Sequence, residues 1–430
     1  MSYRTRREIG MSGIFAPKRV LVTIGLAVSL LAAGCGSSND SENANDNGNE
    51  TASTQVGKGL PANTAGAIPT LPKEIQPYYK GLTSKLGPSP LGSFKSKAEP
   101  PFTLGYASVY AGNSWRETIV DHLNNVLLPE YKKLGLIDEV LITESDLDIP
   151  TQIQNQKQLM DRGADGLITI APPPGLEQSV KYASDRGVPF LSFDGGVAAP
   201  EALLTGVNYF LAGYQEAQGL ATQIGGEGDV VLVNGIEGTE GSDDFEKGAE
   251  RALEEFPGIN VVGTINGQWT LAVAKAEMLK FLGTHPEPLD GVIAQAGTET
   301  GVLQALKQTG RDIPPITIGG EIGPMCYWKN NPDWLKQGYQ MWPPKAEVDL
   351  AVRVMLRTLL GQGPKIETIP RPQSTLTYDE MVKLLPSEDC SEDDINWLPL
   401  DGQDWMPDET LDGFFKNPFP LEDWESRIGG

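Results

Sequence analysis

Hydrophobic and polar positions predict strands and helices in regular succession from Phe102 onward. Short apolar runs indicate strands, and apolar residues three or four positions apart indicate the helices between them. The predicted elements are a strand at Thr103–Tyr110, a helix from Ser114, a strand at Val140–Ile142, a helix at Gln152–Arg162, a strand at Gly166–Ile170, a helix at Leu176–Asp185 and a strand at Pro189–Phe193. Such βαβα alternation predicts a parallel, doubly wound sheet.

A second copy of the pattern follows the first. Its predicted helices are Tyr209–Ile224, Phe245–Glu255, Ala272–Leu282 and Thr300–Gln308, and its predicted strands are Val230–Val233, Val261–Thr264, Gly291–Gln295 and Ile316–Ile318. The copies also match locally, since Asp165-Gly166-Leu167-Ile168 corresponds to Asp290-Gly291-Val292-Ile293 at an offset of 125 residues. We therefore expect an α/β protein of two Rossmann-like lobes, although unrelated α/β proteins share part of this pattern.

The first 34 residues have the pattern of an export signal. Five basic residues accompany an apolar run of 14 residues, Val20–Ala33, which is shorter than the roughly 20 residues that span a bilayer. The run ends in Leu31-Ala32-Ala33-Gly34-Cys35, which resembles a bacterial lipobox with its leucine one position early. This resemblance implies a signal peptide at 1–34 and lipid on Cys35. An ordinary buried cysteine is the alternative, and Met11 is an alternative start.

Composition changes between the signal and the first strand. Gly36–Glu50 has one alanine and no larger apolar side chain, so we expect a flexible tether. Residues 51–100 scatter apolar side chains among Pro and Gly, and we expect an extended lead-in that wraps the body. With Cys35 lipidated outside the cytosol, Cys326 and Cys390 remain as a pair that can form a disulfide. Two unpaired thiols are the alternative.

Charge and residue counts exclude several functions. The formal net charge of −23 disfavours binding to nucleic acid or to an anionic membrane surface. Only two histidines are present, which weakens a histidine-rich zinc site or a triad hydrolase, and no cysteine pair has metal-ligand spacing. Three glycines at Gly235, Gly238 and Gly241 lack a Walker lysine. We therefore predict no cofactor and no metal.

The last segment is acidic but also aromatic. Residues 387–430 hold 13 acidic residues against 2 basic ones, and Trp and Phe side chains interleave the charges. A fully solvated tail would not need these aromatic residues. We expect the tail to pack on the body, held by Cys390. A calcium loop is a weaker alternative because the acids lack EF-hand spacing.

Carboxylates and indoles stand where a ligand of this fold would bind. Asp194 and Glu321 follow strands at equivalent places in the two copies, and ligands of parallel sheets lie beyond the carboxyl ends of the strands. Trp115, Trp269 and Trp342 come from three distant segments and offer flat apolar faces. Core packing is the alternative for each tryptophan, and capping for each carboxylate.

These segments, over about residues 101–375, resemble the ribose-type periplasmic binding proteins, the type I solute-binding proteins of ABC sugar importers. The resemblance lies in Leu104–Ala107, Gly112–Arg116, Asp165–Pro172, Pro189–Asp194, Gly267–Trp269, Gly291–Gln295, Ile316–Glu321 and Gln340–Pro344. It implies that the ligand is bound by Asn113, Trp115, Arg116 and Asp194 from the first lobe, Asp243, Trp269 and Glu321 from the second, and Trp342 near the hinge. A surface ion pair is the alternative for Arg116, and helix capping for Asp243.

Four positions depart from the family pattern. Gly195 stands where the family often has Arg, Ala296 where it often has Asn, Glu321 where it often has Asp, and Trp342 where it often has Gln. These changes remove polar groups and add aromatic area, so they point away from ribose itself. The chemistry fits pentoses, hexoses, uronic acids through Arg116, or a small furanose.

The resemblance also implies an organisation. The expected segments are the signal peptide 1–34, the anchor, tether and lead-in 35–100, an N-terminal lobe of 101–206 plus 343–373, a C-terminal lobe of 207–342 and the tail 374–430. Three crossovers near Gly206, Trp342 and Gln373 would form a hinge, so function is closure over a ligand with no bond chemistry.

The expected partners follow from the same resemblance. A monomer, exported and held on the periplasmic or outer-surface side by lipid on Cys35, would capture a carbohydrate and deliver it to an ABC permease driven by a separate ATPase. A receptor feeding a sensor kinase or chemoreceptor is one alternative, and an enzyme is another. A cytosolic repressor of related fold is disfavoured, because a polar tether stands where a basic helix-turn-helix would be.

Overall fold

The computed structural model describes residues 59–428, except 110–111, 171–173, 374, 386–389 and 399–404. The predicted signal peptide, Cys35 and the tether lie outside the described residues. The strands are β1 (Phe102–Ser108), β2 (Ile137–Glu144), β3 (Gly166–Ile170), β4 (Phe190–Phe193), β5 (Ala202–Gly206), β6 (Glu227–Asn234), β7 (Gly258–Asn266), β8 (Gly291–Ala294) and β9 (Thr368–Pro370).

The helices fall between these strands and after them. They are α1 (Ser114–His122), α2 (Leu128–Lys133), α3 (Ile149–Asp161), α4 (Glu177–Arg186), α5 (Tyr209–Gln223), α6 (Glu240–Leu253), α7 (Leu271–Thr284), α8 (Glu299–Thr309), α9 (Ile322–Asn330), α10 (Pro344–Leu359), α11 (Tyr378–Leu384), α12 (Asp408–Asp412) and α13 (Trp424–Ile428). A π-helical turn, Leu123–Leu127, joins α1 to α2. Pro129 explains this turn, because it has no N–H to continue the α-helical pattern.

Two parallel sheets carry the architecture. One has six strands in the order β2-β1-β3-β4-β5-β9, and the other has three in the order β7-β6-β8. We call each sheet with its packed helices the first lobe and the second lobe. Neighbouring residues of β3 enter different clusters, Leu167 on one face and Ile168 on the other, so helices cover both faces of the sheet. The predicted α/β class with two doubly wound lobes is confirmed.

Helix α10 brings the chain back from the second lobe to the first. It packs on β3, β4 and β5, and β9 then pairs with β5. Twelve of its 16 residues are buried, among them Glu347 and Arg357, so neighbouring elements enclose much of this helix. Pro344 occupies its first turn, where the missing N–H is not needed.

The strand predicted at Ile316–Ile318 is wrong, because only one bridge forms there, between Ile316 and Val292. The Thr317 hydroxyl accepts a hydrogen bond from the Ala294 N–H at 2.8 Å and donates to the Ala294 carbonyl at 3.0 Å. A side chain thus satisfies the backbone groups that a longer ladder would pair.

Both ends of the described chain pack on the body. Ile75 and Tyr79 from the lead-in and Phe414 and Phe415 from the tail are buried in the cluster that contains β1. A fully buried Arg357 on α10 pairs with two tail carboxylates, Asp408 at 2.9 Å and Asp412 at 2.5 Å. In the part that the structure covers, none of the helices is both long and apolar enough to cross a membrane.

Cys326 on α9 and Cys390 form a disulfide in the structure. Their Cα atoms are 5.5 Å apart and 64 residues separate them in sequence. The bond connects the acidic tail to the second lobe, because α9 packs in that lobe's core.

Candidate ligand-binding site between the two lobes

A cavity of about 60 Å³ lies where the carboxyl ends of strands from both sheets meet. Its walls come from the end of β3, from the segments that follow β1, β4, β5, β6, β7 and β8 in the chain, and from Trp342 and Trp397. The lining residues are Asn113, Trp115, Arg116, Ile170, Asp194, Tyr209, Phe245, Trp269, Gln295, Ala296, Gly297, Trp342 and Trp397. Six of the eight side chains predicted from the sequence to bind the ligand therefore border one cavity.

The first turn of α1 contributes three of these side chains. Asn113 caps the helix, because its Oδ1 accepts a hydrogen bond from the Arg116 N–H at 3.0 Å. Trp115 stands beside it, and the Arg116 guanidinium lies 5.8 Å from the centre of the Trp115 ring system. Arg116 is buried, so it does not behave as the surface ion-pair residue that sequence left open.

Asp194 brings a buried carboxylate to the cavity from the end of β4. Its backbone has φ +51°, and Gly206 leaves room for it, since a Cβ there would be 2.8 Å from the Asp194 Oδ1. Among the described residues neither carboxylate oxygen has a hydrogen-bond partner of normal geometry, although the Tyr209 hydroxyl is near. A buried acceptor without donors is unfavourable unless a ligand supplies them.

Neighbouring groups shift the pKa of Asp194 in opposite directions. Burial raises its pKa well above the usual value, and the carboxylate of Glu347 adds to the rise. The guanidinium groups of Arg371 and Arg116 and the hydroxyl of Tyr209 oppose it. Burial is the largest of these effects and favours the neutral carboxyl, whereas donors and cations at the cavity favour the carboxylate.

Trp269 enters the cavity from a strained loop after β7. Gln268 and Trp269 have φ values of +55° and +51°. The indole Nε1 donates to the Gln295 Oε1 at 3.0 Å, and the Gly235 N–H donates to the same oxygen at 2.9 Å. A Cβ on Gly235 would lie 2.0 Å from the Trp269 ring, so only glycine allows the indole this position.

Polar contacts join the lobes around the cavity. The Asn113 Nδ2 donates to the Trp269 carbonyl, and the Trp115 Nε1 donates to the Trp342 carbonyl, both at 3.0 Å. Trp342 packs against Tyr209 with ring centres 4.8 Å apart. These contacts between distant segments indicate that the two lobes are closed on each other.

Sequence reasoning missed several lining residues. Gln295 and Tyr209 were assigned only to a strand and a helix, and Phe245 only to a helix core. Gln295 ends the predicted strand Gly291–Gln295, so the strand-end rule that selected Asp194 would also have selected it. Trp397 had no such signal, because it lies in the acidic tail far from any strand.

Asp243 and Glu321 do not line this cavity. The Asp243 Oδ1 accepts the Gly238 N–H at 3.1 Å, in the capping role that the sequence left as the alternative. Asp243 instead borders a larger cavity of about 400 Å³, whose lining among the described residues has mixed charges and no aromatic ring. Glu321 is 4% exposed, and its Oε2 accepts hydrogen bonds from the Thr300 N–H and hydroxyl at 3.0 and 2.6 Å.

Glu321 pairs with a second buried carboxyl, Glu299. Glu299 accepts backbone N–H groups of Gly297, Thr298 and Gly319, so the pair fixes loops that reach the cavity. Burial raises the pKa of Glu299 to about 7 and, together with Glu299, that of Glu321 to about 8. Two carboxyl groups in contact avoid charge repulsion when one of them stays protonated, and the pair then shares that proton.

We expect the stability of this protein to fall between about pH 5 and 8. A carboxyl whose pKa is raised by folding stabilises the protein below its unfolded pKa, and this contribution is lost as the pH rises from the unfolded to the raised pKa. Burial raises the pKa values of Glu299 and Glu321 from 4.5 to about 7 and 8, so in this window stability falls by about 1.4 kcal/mol per pH unit for each proton that only the folded state holds. Urea unfolding at several pH values measures the fall.

Glu321→Gln is the matched variant. Its amide can donate to Glu299 as a protonated acid does and can still accept from Thr300, so the pH dependence should become shallower between about pH 5 and 8. An unchanged slope in this variant would contradict the shared-proton arrangement.

Comparison with known proteins assigns the family. Residues 105–363 match the model of the periplasmic binding protein domain. Over 238 residues the chain is 30% identical to the xylitol-binding protein of Mycolicibacterium smegmatis, covering 54% of this chain and just under two thirds, 66%, of that protein. It is 24% identical over 234 residues to a galactofuranose-binding protein of Escherichia coli, covering 51% and 71%.

A solved structure agrees with the fold. An ABC transporter solute-binding protein from Thermobispora bispora superposes with a TM-score of 0.62 at 21% identity, covering 77% of this chain and 97% of that one. Family members of this kind are exported proteins. Since the family model spans more than half of the sequence, the chain belongs to the periplasmic binding protein family.

Proposed function

We propose that this protein captures a small carbohydrate or polyol in the cavity between its lobes and delivers it to an ABC importer. One observation carries the proposal. Trp115, Trp269 and Trp342 surround a buried Asp194 whose carboxylate has no donor of normal geometry among the described residues. Sugars and polyols combine apolar C–H faces with hydroxyl donors, which is the complement of this arrangement.

The size and polarity of the cavity support a small ligand. A water molecule needs roughly 10–15 Å³ of cavity volume, so about 60 Å³ holds about five waters. This space is comparable to that taken up by the hydroxyl groups of one small sugar. Asn113 and Arg116 add polar groups at one edge. Hydroxyls would bind Asp194 by charge-assisted hydrogen bonds, and Arg116 would accept an acidic substituent such as that of a uronic acid.

The relatives support the same ligand class. The named ligands of the two curated relatives, xylitol and galactofuranose, are a pentitol and a furanose. Both are compact, uncharged and rich in hydroxyls, as the indole and carboxylate lining requires. The departures at Gly195, Ala296 and Trp342 replace family polar groups, so we infer a ligand other than ribose.

We further propose that binding acts through hinge closure without bond chemistry. The proposed boundaries are an N-terminal lobe of 101–206 plus 343–373, a C-terminal lobe of 207–342 and a tail of 374–430, with crossovers near Gly206, Trp342 and Gln373. A buried ion pair supports this hinge, since the Arg371 Nε lies 2.5 Å from the Glu347 Oε1 and Arg371 also contacts the carbonyls of Met341 and Gly206.

The proposed partners and location follow from what membership of this family implies. The closed, monomeric protein would dock on a permease with its ATPase, anchored to the membrane by lipid on Cys35 and stabilised by the Cys326–Cys390 disulfide.

A thermal-shift screen of the full-length protein tests the ligand class. The carbohydrate panel contains xylitol, D-arabinose, D-galactose, methyl β-D-galactofuranoside, myo-inositol and D-galacturonate, with amino acids as the contrasting set. At 100 times its Kd a ligand stabilises the folded state by about 2.7 kcal/mol, which raises the melting temperature by a few degrees. We expect this rise with at least one carbohydrate. A rise with amino acids alone would contradict the proposal.

A further inference from the structure

A C-terminal strap, Cys390–Leu398, contributes to the cavity although it lies outside the family-matched segment, which ends at residue 363. Its Trp397 is one of the lining residues, together with Trp115, Trp269 and Trp342. The strap therefore forms a wall of the cavity from a part of the chain that the family model does not match.

Backbone hydrogen bonds fix the strap to the second lobe at the start of α9. The N–H groups of Ile322 and Gly323 donate to the carbonyls of Asn396 and Asp394, each at 2.8 Å. The first N–H groups of a helix have no partner within the helix, so the strap satisfies them as a cap. The Leu398 N–H donates in turn to the Gly320 carbonyl at 2.8 Å.

Side chains and the disulfide hold the rest of the strap. Cys390 is bonded to Cys326 on α9, and Leu398 is buried in the second lobe's core. On α8, Lys307 pairs with Glu392, and the Gln304 Nε2 donates to the Asp393 Oδ1 at 2.9 Å. A disulfide, an ion pair and hydrogen bonds thus fix the strap on the second lobe.

The strap also reaches the first lobe. The Ser114 hydroxyl, in the first turn of α1, donates to the Ile395 carbonyl at 2.6 Å. Trp115 follows Ser114 directly and lines the cavity. The strap therefore passes along the edge of the cavity where the two lobes meet.

The Trp397 ring takes its place because position 320 is glycine. A Cβ on Gly320 would lie 3.3 Å from the Trp397 Cε3, and Gly320 has φ +126°, which favours glycine. The Trp397 Nε1 is buried and has no hydrogen-bond partner among the described residues. An indole N–H in such a place is a donor that a ligand oxygen can satisfy.

We propose that Trp397 contacts the bound ligand and sets its specificity, closing the cavity with its ring face and donating its Nε1–H to a ligand oxygen. The inference rests on the proposed carbohydrate function. The Trp397 wall would also select ligands by size, because it is carried on a fixed strap and limits how far a ligand substituent can extend. A longer sugar would have to displace the strap from α9 and from Ser114.

Calorimetric titration of Trp397 variants tests this proposal. Each carbohydrate of the panel that binds the wild-type full-length protein is titrated into Trp397→Ala, Trp397→Phe and the control Trp405→Phe, an indole of the same tail that does not line the cavity. We expect the alanine variant to lose roughly 10-fold or more in affinity and the phenylalanine variant, which keeps an aromatic face but lacks the N–H donor and the second ring, about 2- to 10-fold. The control should bind as the wild type does.

Selectivity separates ligand contact from mere support of the fold. Loss of a wall should weaken small ligands such as xylitol more than larger ones, whereas loosening of the fold would weaken all of them equally and lower the melting temperature without ligand. Unchanged affinity in Trp397→Ala, beside a loss in Asp194→Ala, would overturn the role of the strap and leave the proposed function standing. If no carbohydrate binds the wild-type protein, both proposals fail.

Discussion

Replacement of Asp194 by alanine is expected to weaken carbohydrate binding by roughly 100-fold. Each hydrogen bond to a charged acceptor contributes about 1.5–3 kcal/mol, and a factor of ten in Kd corresponds to about 1.4 kcal/mol. The carboxylate is buried and without a donor of normal geometry in the described protein, so a ligand hydroxyl would be its principal donor. Calorimetry on the wild type and the variant, with the ligand found by the screen, measures the ratio.

Two variants make the Asp194 test specific. Asp194→Asn keeps the shape and one acceptor oxygen, so its affinity should fall between those of the wild type and the alanine variant. Asp243→Ala removes a carboxylate that the sequence also suggested for the ligand but that borders a different cavity, and it should leave affinity unchanged. Equal affinities for Asp194→Ala and the wild type would show that the ligand does not use this carboxylate.

Replacement of Arg371 by methionine is expected to give the largest loss of stability, about 3–5 kcal/mol at pH 7, because it leaves Glu347 buried without its partner. Both side chains of the pair are fully buried. Burial raises the pKa of Glu347 while Arg371 opposes the rise, so the variant would also drive Glu347 toward its neutral form. Urea unfolding followed by tryptophan fluorescence gives the free energy of unfolding.

Controls for Arg371 separate the buried pair from charge in general. The double variant Arg371→Met/Glu347→Gln removes the unpaired charge and should recover part of the loss. Lys181→Met breaks an exposed pair with Asp185 and should change stability little. A loss in Arg371→Met no greater than that in Lys181→Met would contradict a structural role for the pair at the crossovers.

The duplicated α/β pattern was predictable because its physical cause is local. Strands buried on both faces, such as Gly166–Ile170, are continuous apolar runs, and the helices between them carry apolar residues at helical spacing. Helix α10 was not among the predicted elements, although apolar residues such as Val348, Val352 and Met355 recur along it at helical spacing. The strand predicted at Ile316–Ile318 was wrong because a threonine hydroxyl replaced the ladder.

The candidate site was predictable only where strand ends determine it. Asp194 and Trp269 lie at the carboxyl ends of strands, and both line the cavity. Glu321 occupies the equivalent position in the second copy, yet its side chain turns to Thr300 and Glu299, because a carboxylate accepts whichever donors its rotamer reaches. The rotamer of Glu321 depends on packing between distant segments, so the local sequence does not reveal it.

The position of Trp397 at the cavity could not be predicted from the ends of strands. Its approach to the cavity depends on a disulfide, on the bare backbone of Gly320 and on hydrogen bonds to the start of α9. These contacts join residues that are distant in sequence. The sequence indicated only that the aromatic residues of the tail needed something to pack on.

A crystal structure of the protein with the carbohydrate from the screen tests the central claim most directly. We predict that the ligand lies between the indoles of Trp115 and Trp269, with a hydroxyl within hydrogen-bonding distance of the Asp194 carboxylate. A ligand bound instead in the larger charged cavity beside Asp243, with the space among the indoles empty, would contradict the account.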